Sequence, residues 1–286
     1  MAKAVLYHAE CNDGTCAASV ISYFERDPTI TYHPVMYKMP MPDIQPGTDI
    51  IFADFCHDNL GSMLAMLDSC ASMTIYDHHV GSTSILKALI EADKIHGKLR
   101  VYYEERESGA SICWKTYSPL PMPKVVECVR NHDLHADKTI EDDYFFYGVL
   151  TECQTITFWT SLITDEDKVL RLILAGRDVY QFIMNTVLPQ ARTKLSYTAI
   201  GGFIIPVVNV NRVLQSLVLE ELSRVSSVAI AYEDLGNGKR KWSVRSLVST
   251  NGAAQRIAQE FGGNGHLNAA GFVTDVTWMP PLVENM

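Results

Sequence analysis

The sequence lacks any long apolar run. No stretch approaches the roughly 18 consecutive apolar residues that a membrane-spanning helix needs, although 47% of the residues are hydrophobic. The first apolar stretch ends at His8 and Glu10, too early for the apolar region of a signal peptide. We therefore expect a cytoplasmic protein without membrane contact.

Paired cysteines and excess positive charge are also missing. The seven cysteines are an odd number without a C-x-x-C spacing, which argues against a disulfide scaffold and a structural zinc site. The 24 Lys and Arg residues are outnumbered by 33 Asp and Glu residues, giving a net charge of −9. Because proteins that coat long nucleic acids neutralise many phosphates, we expect no long duplex as partner. A short nucleotide bound through cations remains compatible with the acidic balance.

The first 80 residues predict a parallel sheet. Four apolar strands alternate with amphipathic helices, as in sheets covered by helices on both faces. The predicted strands are 4–8, 30–37, 49–54 and 73–76, and the helices are 15–26 and 59–71. Ligand sites of such sheets lie at the carboxyl ends of the strands.

The remainder predicts a mainly helical stretch over 123–197 and then a second domain. Its predicted strands are 199–210, 228–232, 241–247 and 270–274, and its helices are 212–224 and 252–261. We expect an α/β protein with a parallel-sheet domain at 1–190, a smaller α/β domain at 198–286, and an active site in the cleft between them.

Polar residues that can bind metal stand where the predicted strands end. His8, Asp54 and Asp77 each occupy such a position, so they would converge on one crevice. Singly, each residue has an ordinary explanation: Asp13 and Asp54 would cap helices, and His8 would be a surface histidine. Together, carboxylates and imidazoles suit Mn²⁺ somewhat better than Mg²⁺.

The order of the motifs resembles the DHH phosphoesterase superfamily, and the C-terminal part resembles the DHH-associated domain. The segments that carry the resemblance are His8-Ala9-Glu10-Cys11-Asn12-Asp13-Gly14, Ala53-Asp54-Phe55, Asp77-His78-His79, Asn131-His132-Asp133 and Gly262–Gly271. Members of this superfamily cleave phosphoanhydrides or phosphodiesters with bound metal ions. They include pyrophosphatases, exopolyphosphatases, single-strand exonucleases, nano-RNases and cyclic-dinucleotide phosphodiesterases.

The resemblance implies one or two ions, Mn²⁺ with Mg²⁺ or Co²⁺ as alternatives. His8 and Asp54 would hold one ion, and the second would be held by Asp13, Asp54, His78 and Asp133, with Asp54 as the bridge. As catalytic residues, Asp77 would orient the ligands and His79 would face the substrate phosphate. Asp137 is a rival for the role of Asp133.

Cys11 departs from the family pattern. Many members carry Asp-x-Asp-Gly in the first motif, whereas this chain has Cys11-Asn12-Asp13-Gly14. The first ion would therefore be short of a ligand, unless Cys11, Asn12 or Glu10 substitutes. As an alternative, Cys11 is a small turn residue.

The C-terminal glycine run predicts an anion-binding loop. Backbone amides at Gly263 and Gly265 would approach a phosphate, and Arg245 and His266 would add charge-assisted hydrogen bonds. The structural alternative is that the glycines end the preceding helix.

The predicted activity is that of a metal-dependent phosphodiesterase. It would hydrolyse short oligonucleotides or (cyclic) dinucleotides to mononucleotides with a metal-activated water. The alternatives are a phosphoanhydride hydrolase, such as a pyrophosphatase or exopolyphosphatase, and a nucleotide-binding sensor with a weakened metal site. The expected partner is a small nucleotide or short oligonucleotide, and the oligomeric state is left open, with a homodimer as one arrangement.

Overall fold

The structure is a computed structural model that describes residues 2–95, 97–134 and 138–283. The chain divides into two compact units, Met1–Tyr180 and Gln181–Met286. Among the described residues, no helix combines the length and the apolar character that crossing a bilayer requires.

The first unit is built on a five-stranded sheet in which every strand pair is parallel. Its strands are β1 (Lys3–His8), β2 (Thr31–Val35), β3 (Asp49–Ala53), β4 (Ser72–Asp77) and β5 (Leu99–Tyr103), in the order β2-β1-β3-β4-β5. Such a sheet is buried on both faces, and its central strands read as continuous apolar runs. The predicted α/β class with an N-terminal parallel sheet is confirmed.

Helices cover both faces of this sheet. They are α1 (Asn12–Glu25), α2 (Leu60–Ser69), α3 (Thr83–Ala92), α4 (Gly109–Tyr117), α5 (Lys124–Leu134), α6 (Ile140–Val149), α7 (Ile156–Thr164) and α8 (Glu166–Phe182). One apolar core joins the sheet to α1, α4, α5 and α7, and a second joins the opposite face to α2 and α3. α1 begins at Asn12, three residues before its predicted start, because Asp13 and Gly14 belong to its first turn.

The second unit contains a mixed six-stranded sheet. It begins with a π-helical turn, Ile183–Val187, and the short helix α9 (Leu188–Arg192). Its strands are β6 (Ser196–Ile200), β7 (Phe203–Asn209), β8 (Val228–Asp234), β9 (Lys239–Ser246), β10 (Asn264–His266) and β11 (Ala269–Asp275), in the order β10-β11-β9-β8-β7-β6. Among the strand pairs of the described residues in this sheet, only β7–β8 is parallel.

Two helices pack on opposite faces of the second sheet. They are α10 (Arg212–Ser226) and α11 (Ala253–Glu260). Ala229 and Ala231 of β8 join the core beneath α10, and Trp242 and Val244 of β9 join the core beneath α11. The predicted strand 199–210 is two strands, because Gly201 and Gly202 adopt positive φ and turn the chain between them.

Candidate metal centre

Three neighbouring parallel strands deliver polar residues to one edge of the first sheet. His8 is the last residue of β1, Asp77 is the last residue of β4, and Asp54 follows directly after β3. The sheet order places β3 between β1 and β4. Since all three strands run in the same direction, the three side chains start from the same rim, as the sequence predicts.

Asp54 has a strained backbone and a tightly packed position. Its φ of 57° lies in the left-handed region, which residues other than glycine rarely adopt. Its side chain is fully buried, and Gly109 of α4 lies against it, since a Cβ on Gly109 would stand 2.4 Å from the Asp54 Cβ. Strain held by close packing is typical of functional sites.

The two oxygens of the Asp54 carboxylate face two different histidines. Oδ1 lies 3.1 Å from His78 Nε2, and Oδ2 lies 3.4 Å from His8 Nδ1. His78 Nε2 is also 3.5 Å from Asp133 Oδ2 and 3.8 Å from Asp13 Oδ2. Asp54 therefore stands between two sets of ligand-type atoms.

The potential ligand atoms form two clusters. Within each, the atoms lie within 4.8 Å of one another; we name His8, Asp54 and His79 cluster A, and Asp13, His78 and Asp133 cluster B. The structure thus brings together all five residues predicted from sequence as metal ligands. It also places His79 beside His8 and Asp54, where the sequence interpretation leaves the first ion short of a ligand.

The N-terminus of α4 holds Asp13. The backbone N–H of Gly109 donates to Asp13 Oδ2 at 2.6 Å, and that of Ala110 donates to Oδ1 at 2.9 Å. The positive end of the helix dipole stabilises a carboxylate at this position. The sequence does not predict this contact, because the contact joins residues 96 and 97 positions apart. Ser108, which accepts a hydrogen bond from the Ser111 N–H as a helix cap, was the available signal.

Asp77 orients the two histidines that follow it. Its Oδ1 accepts hydrogen bonds from the backbone N–H groups of His78 and His79, at 2.8 and 3.1 Å. The same oxygen lies 2.8 Å from His79 Nδ1. Asp77 is fully buried, so it fixes the turn and the His79 ring from behind the clusters.

The carboxylates shift one another's pKa values and those of the histidines. Burial, followed by the charges of Asp54 and Asp133, raises the pKa of Asp13 well above its usual range. Burial would also raise the pKa of Asp54, but the contacts with His78 and His8 outweigh it and hold that pKa well below its usual range. Burial disfavours charged His78, yet Asp54 and the neighbouring carboxylates raise the pKa of His78 to about 10.

The raised pKa values of Asp13 and His78 indicate that the negative charge of the carboxylates exceeds what the histidines neutralise. Within the described part of the chain, the buried atoms His8 Nδ1 and Asp133 Oδ2 also make no hydrogen bond. Buried polar atoms are nearly always satisfied, so orphaned ligand-type atoms point to a missing partner. Carboxylate oxygens combined with imidazole nitrogens fit Mn²⁺, and the residues of the two clusters could hold such ions.

Cys11 adjoins the clusters without belonging to either. Its thiol donates a hydrogen bond to Asp54 Oδ2 at a sulfur–oxygen distance of 3.6 Å. Burial, together with the charges of Asp54, Asp133 and Asp13, raises the pKa of the Cys11 thiol well above its usual value. In the metal-free protein, Cys11 is therefore a thiol that supports Asp54. Asp137, the rival for the role of Asp133, lies outside the described residues.

Two aromatic rings that the sequence analysis missed surround His8. Tyr37 packs edge-on against His8 with ring centroids 5.4 Å apart, and Phe55 packs at 5.7 Å. Tyr37 also lies edge-on to His79 at 6.2 Å. These rings restrict the movement of the cluster A imidazoles.

Of the four predicted substrate-binding residues, Arg245 lies on β9, Gly265 and His266 lie on β10, and Gly263 directly precedes β10. Ala269 of β11 is the register partner of both His266 in β10 and Arg245 in β9. Because cross-strand partners share a face, Arg245 and His266 project from the same side of the sheet. The Arg245 guanidinium donates to Ser216 Oγ at 2.9 Å.

The glycines have structural roles in this unit. A Cβ at Gly263 would stand 2.1 Å from the Gly271 carbonyl oxygen, and one at Gly265 would stand 2.5 Å from the Ala270 Cα. Gly262 adopts a φ of 73° just after α11, and the Gly263 N–H bonds to the Ala258 carbonyl. The glycine run therefore ends the helix and lets β10 and β11 pair closely.

Comparison with known proteins gives one sequence relative and several solved structures. No family model matches the chain. The uncharacterized protein R106 of Acanthamoeba polyphaga mimivirus is 24% identical in an alignment that is 299 residues long with its gaps and that covers 93% of this chain. The matched region spans 66% of that relative's length.

Among solved structures, the chain is similar to the pGpG-specific phosphodiesterase PggH from Vibrio cholerae. The TM-score is 0.50 at 11% identity, covering 96% of this chain and 94% of that one. An exopolyphosphatase-related protein from Bacteroides fragilis aligns with a TM-score of 0.47 at 13% identity, covering 97% and 87%. The fold implied by the DHH resemblance is therefore confirmed: this chain shares the fold of the PggH phosphodiesterase.

Proposed function

We propose that this protein is a metal-dependent phosphodiesterase. It hydrolyses short oligonucleotides or (cyclic) dinucleotides to mononucleotides. The observation that carries the proposal is the pairing of clusters A and B around the buried Asp54, whose two oxygens face His8 and His78. A fold shared with a phosphodiesterase supports the same activity.

Each residue of the clusters has a task in this mechanism. Bound Mn²⁺ ions would supply Lewis acidity and lower the pKa of the attacking water toward neutral pH. Clusters A and B would hold these ions, with Asp54 shared between them. The α4 amides hold the Asp13 carboxylate in a fixed orientation within cluster B. The carboxylates and the buried apolar surroundings keep this arrangement rigid before substrate arrives.

His79 and Asp77 act as a pair. Hydrogen bonding to Asp77, together with the charge of Asp54, outweighs the effect of burial and raises the pKa of His79. With its pKa raised, His79 is suited to donate a hydrogen bond to the substrate phosphate, the role that the sequence predicts. Its place in cluster A offers a second task as a ligand, and metal-binding stoichiometry in His79→Gln separates the two.

The second unit is proposed to bind the substrate. Arg245 and His266 share one sheet face, and a guanidinium can form paired hydrogen bonds with phosphate or carboxylate oxygens.

The test is a substrate panel supplied with Mn²⁺, Mg²⁺ or Co²⁺ and read by product chromatography. Dinucleotides, cyclic dinucleotides, short oligonucleotides, pyrophosphate and polyphosphate are compared. We expect mononucleotides from the first three, with Mn²⁺ as the best ion, and no turnover in Asp54→Asn. Asp49→Asn, at the opposite end of β3, is the matched control. Hydrolysis of pyrophosphate or polyphosphate alone would replace the proposal with a phosphoanhydride hydrolase, and nucleotide binding without hydrolysis would replace it with a sensor.

A further inference from the structure

A cavity of about 190 Å³ adjoins cluster B. It lies between the start of α1 and the helices α5 and α6, and Asp13 and Asp133 form part of its lining. A group bound here would sit beside the atoms that the proposed mechanism assigns to an ion. None of the predicted substrate-binding residues lines this cavity.

The floor of the cavity is apolar. Cys128, Val129 and Phe145 line it, and each is at most 4% exposed. The volume equals that of about six water molecules at roughly 30 Å³ each, enough for a planar heterocycle. Water held against such a floor gains few hydrogen bonds, so an apolar surface that displaces it is favoured.

Two stacked rings complete the cavity wall. The rings of His132 and Phe146 have centroids 4.2 Å apart and are inclined by only 12°. Both side chains are half-buried and both line the cavity. Asp143 Oδ1 lies 3.5 Å from His132 Nδ1 and restrains that ring. An ordered aromatic surface of this kind can stack against any nucleobase, because every base has a π-face.

The charges of the cavity disfavour a second phosphate. Glu10, Asp13 and Asp133 contribute carboxylates, and no Lys or Arg occurs among the described residues that line it. An anionic group placed here, away from bound cations, would meet like charge. The polar rim at Glu10 and Asn12 instead suits the hydrogen-bonding edge of a neutral ring.

We propose that this cavity binds the nucleobase adjacent to the scissile phosphate. This inference rests on the proposed phosphodiesterase function and narrows it, because an apolar, aromatic and acidic cavity beside the ions favours a nucleoside ester over an inorganic phosphoanhydride. His132 and Phe146 are the residues that select for the ring.

The first experiment measures binding and needs no turnover. The affinities of the Mn²⁺-loaded protein for AMP and for ribose 5-phosphate are compared by calorimetry. We expect AMP to bind about tenfold more tightly, the lower part of the range for stacking one base. Phe146→Leu should reduce this ratio toward one, while Phe158→Leu, a half-buried phenylalanine in α7 outside the cavity, should leave it unchanged. Circular dichroism verifies that both variants are folded.

The second experiment compares hydrolysis of a dinucleotide with that of its abasic counterpart. We expect a KM about tenfold lower for the base-bearing ester in the wild type, and near-equal KM values in Phe146→Leu. Equal affinity of the wild type for AMP and ribose 5-phosphate would overturn the base pocket and leave the phosphodiesterase standing. If no ester in the panel is hydrolysed, the proposed function is overturned, and with it the substrate role of the cavity.

Discussion

The two regions predicted to meet the substrate are built differently. Clusters A and B lie at the carboxyl ends of parallel strands, and Asp13, Asp54, Asp77 and His78 are each at most 3% exposed. The glycine-rich region lies on β10 and β11, where Asn264, Gly265 and His266 are all exposed. Burying several carboxylates next to one another is costly unless an ion compensates their charge, whereas exposed glycines cost little. The burial and charge of the first region therefore indicate a bound ligand. In the second region, only Arg245 and His266 indicate one.

A pair of glycine substitutions would sharpen this comparison most. Gly109→Ala forces a Cβ to within 2.4 Å of the Asp54 Cβ, so we expect about 1–3 kcal/mol lost from the free energy of unfolding, and a fall in Mn²⁺ affinity. Gly265→Ala forces a clash within the β10–β11 pair, and should leave Mn²⁺ affinity unchanged while raising KM. Thermal melting and calorimetry measure both effects.

Gly61→Ala is the control. Gly61 is in α2, and an added Cβ would meet only the Asn59 side chain at 3.3 Å. Equal Mn²⁺ affinities in Gly109→Ala and the wild type would contradict the role given to the α4 contact.

Removing Arg245 tests the second region. Arg245→Ala should raise KM about tenfold, since a hydrogen bond to a charged group contributes about 1.5 kcal/mol or more, while kcat changes less. Arg256→Ala, an exposed arginine on α11, is the matched control. An unchanged KM would leave the glycine-rich region with structural roles alone.

The pH dependence of the stability of the metal-free protein tests the electrostatics of the first region. Asp54 and the neighbouring carboxylates raise the pKa of His78 to about 10 in the folded protein, against about 6.5 in an unfolded chain. The charged His78 therefore stabilises the fold fully below pH 6.5, and this stabilisation is lost as pH rises toward 10. Because an ion must displace the proton, Mn²⁺ binding at pH 8 should release protons.

Proton release is measured by calorimetry in buffers of different ionisation enthalpy. His33→Ala, which removes a half-buried histidine of β2 that belongs to neither cluster, should leave the release unchanged, and His78→Ala should reduce it. Buffer-independent binding enthalpies for the wild type would contradict the assignment of His78 to cluster B.

The smallest effect is expected at Cys11. Its thiol donates one weak hydrogen bond to Asp54 and lies outside both clusters. Cys11→Ser preserves a donor, so Mn²⁺ affinity and turnover should stay within about threefold, less than the usual worth of one hydrogen bond. A loss of one bound ion in Cys11→Ser would instead make the sulfur a ligand.

The sequence predicted the strand-end residues because each of them follows a short apolar run. His8, Asp54 and Asp77 carry that local signal. The contact of Gly109 with Asp13 was not predictable, because no local pattern joins residues 96 positions apart. The sequence also did not predict β5, α4 or the left-handed backbone of Asp54, because all three depend on packing against the rest of the unit. The glycine run was predicted as a binding loop, but its spacing is also what the β10–β11 pairing requires.

The central claim is that Asp54 is shared between two metal positions, and an Mn²⁺ titration of Asp54→Asn beside Asp49→Asn tests it most directly. Calorimetry should show two ions per wild-type chain and per Asp49→Asn chain. Loss of a residue that only supports a metal ligand lowers metal affinity about 10–100-fold. Asp54→Asn should therefore lower the affinity for both ions by at least as much. Mn²⁺ binding by Asp54→Asn with wild-type affinity and stoichiometry would contradict the account.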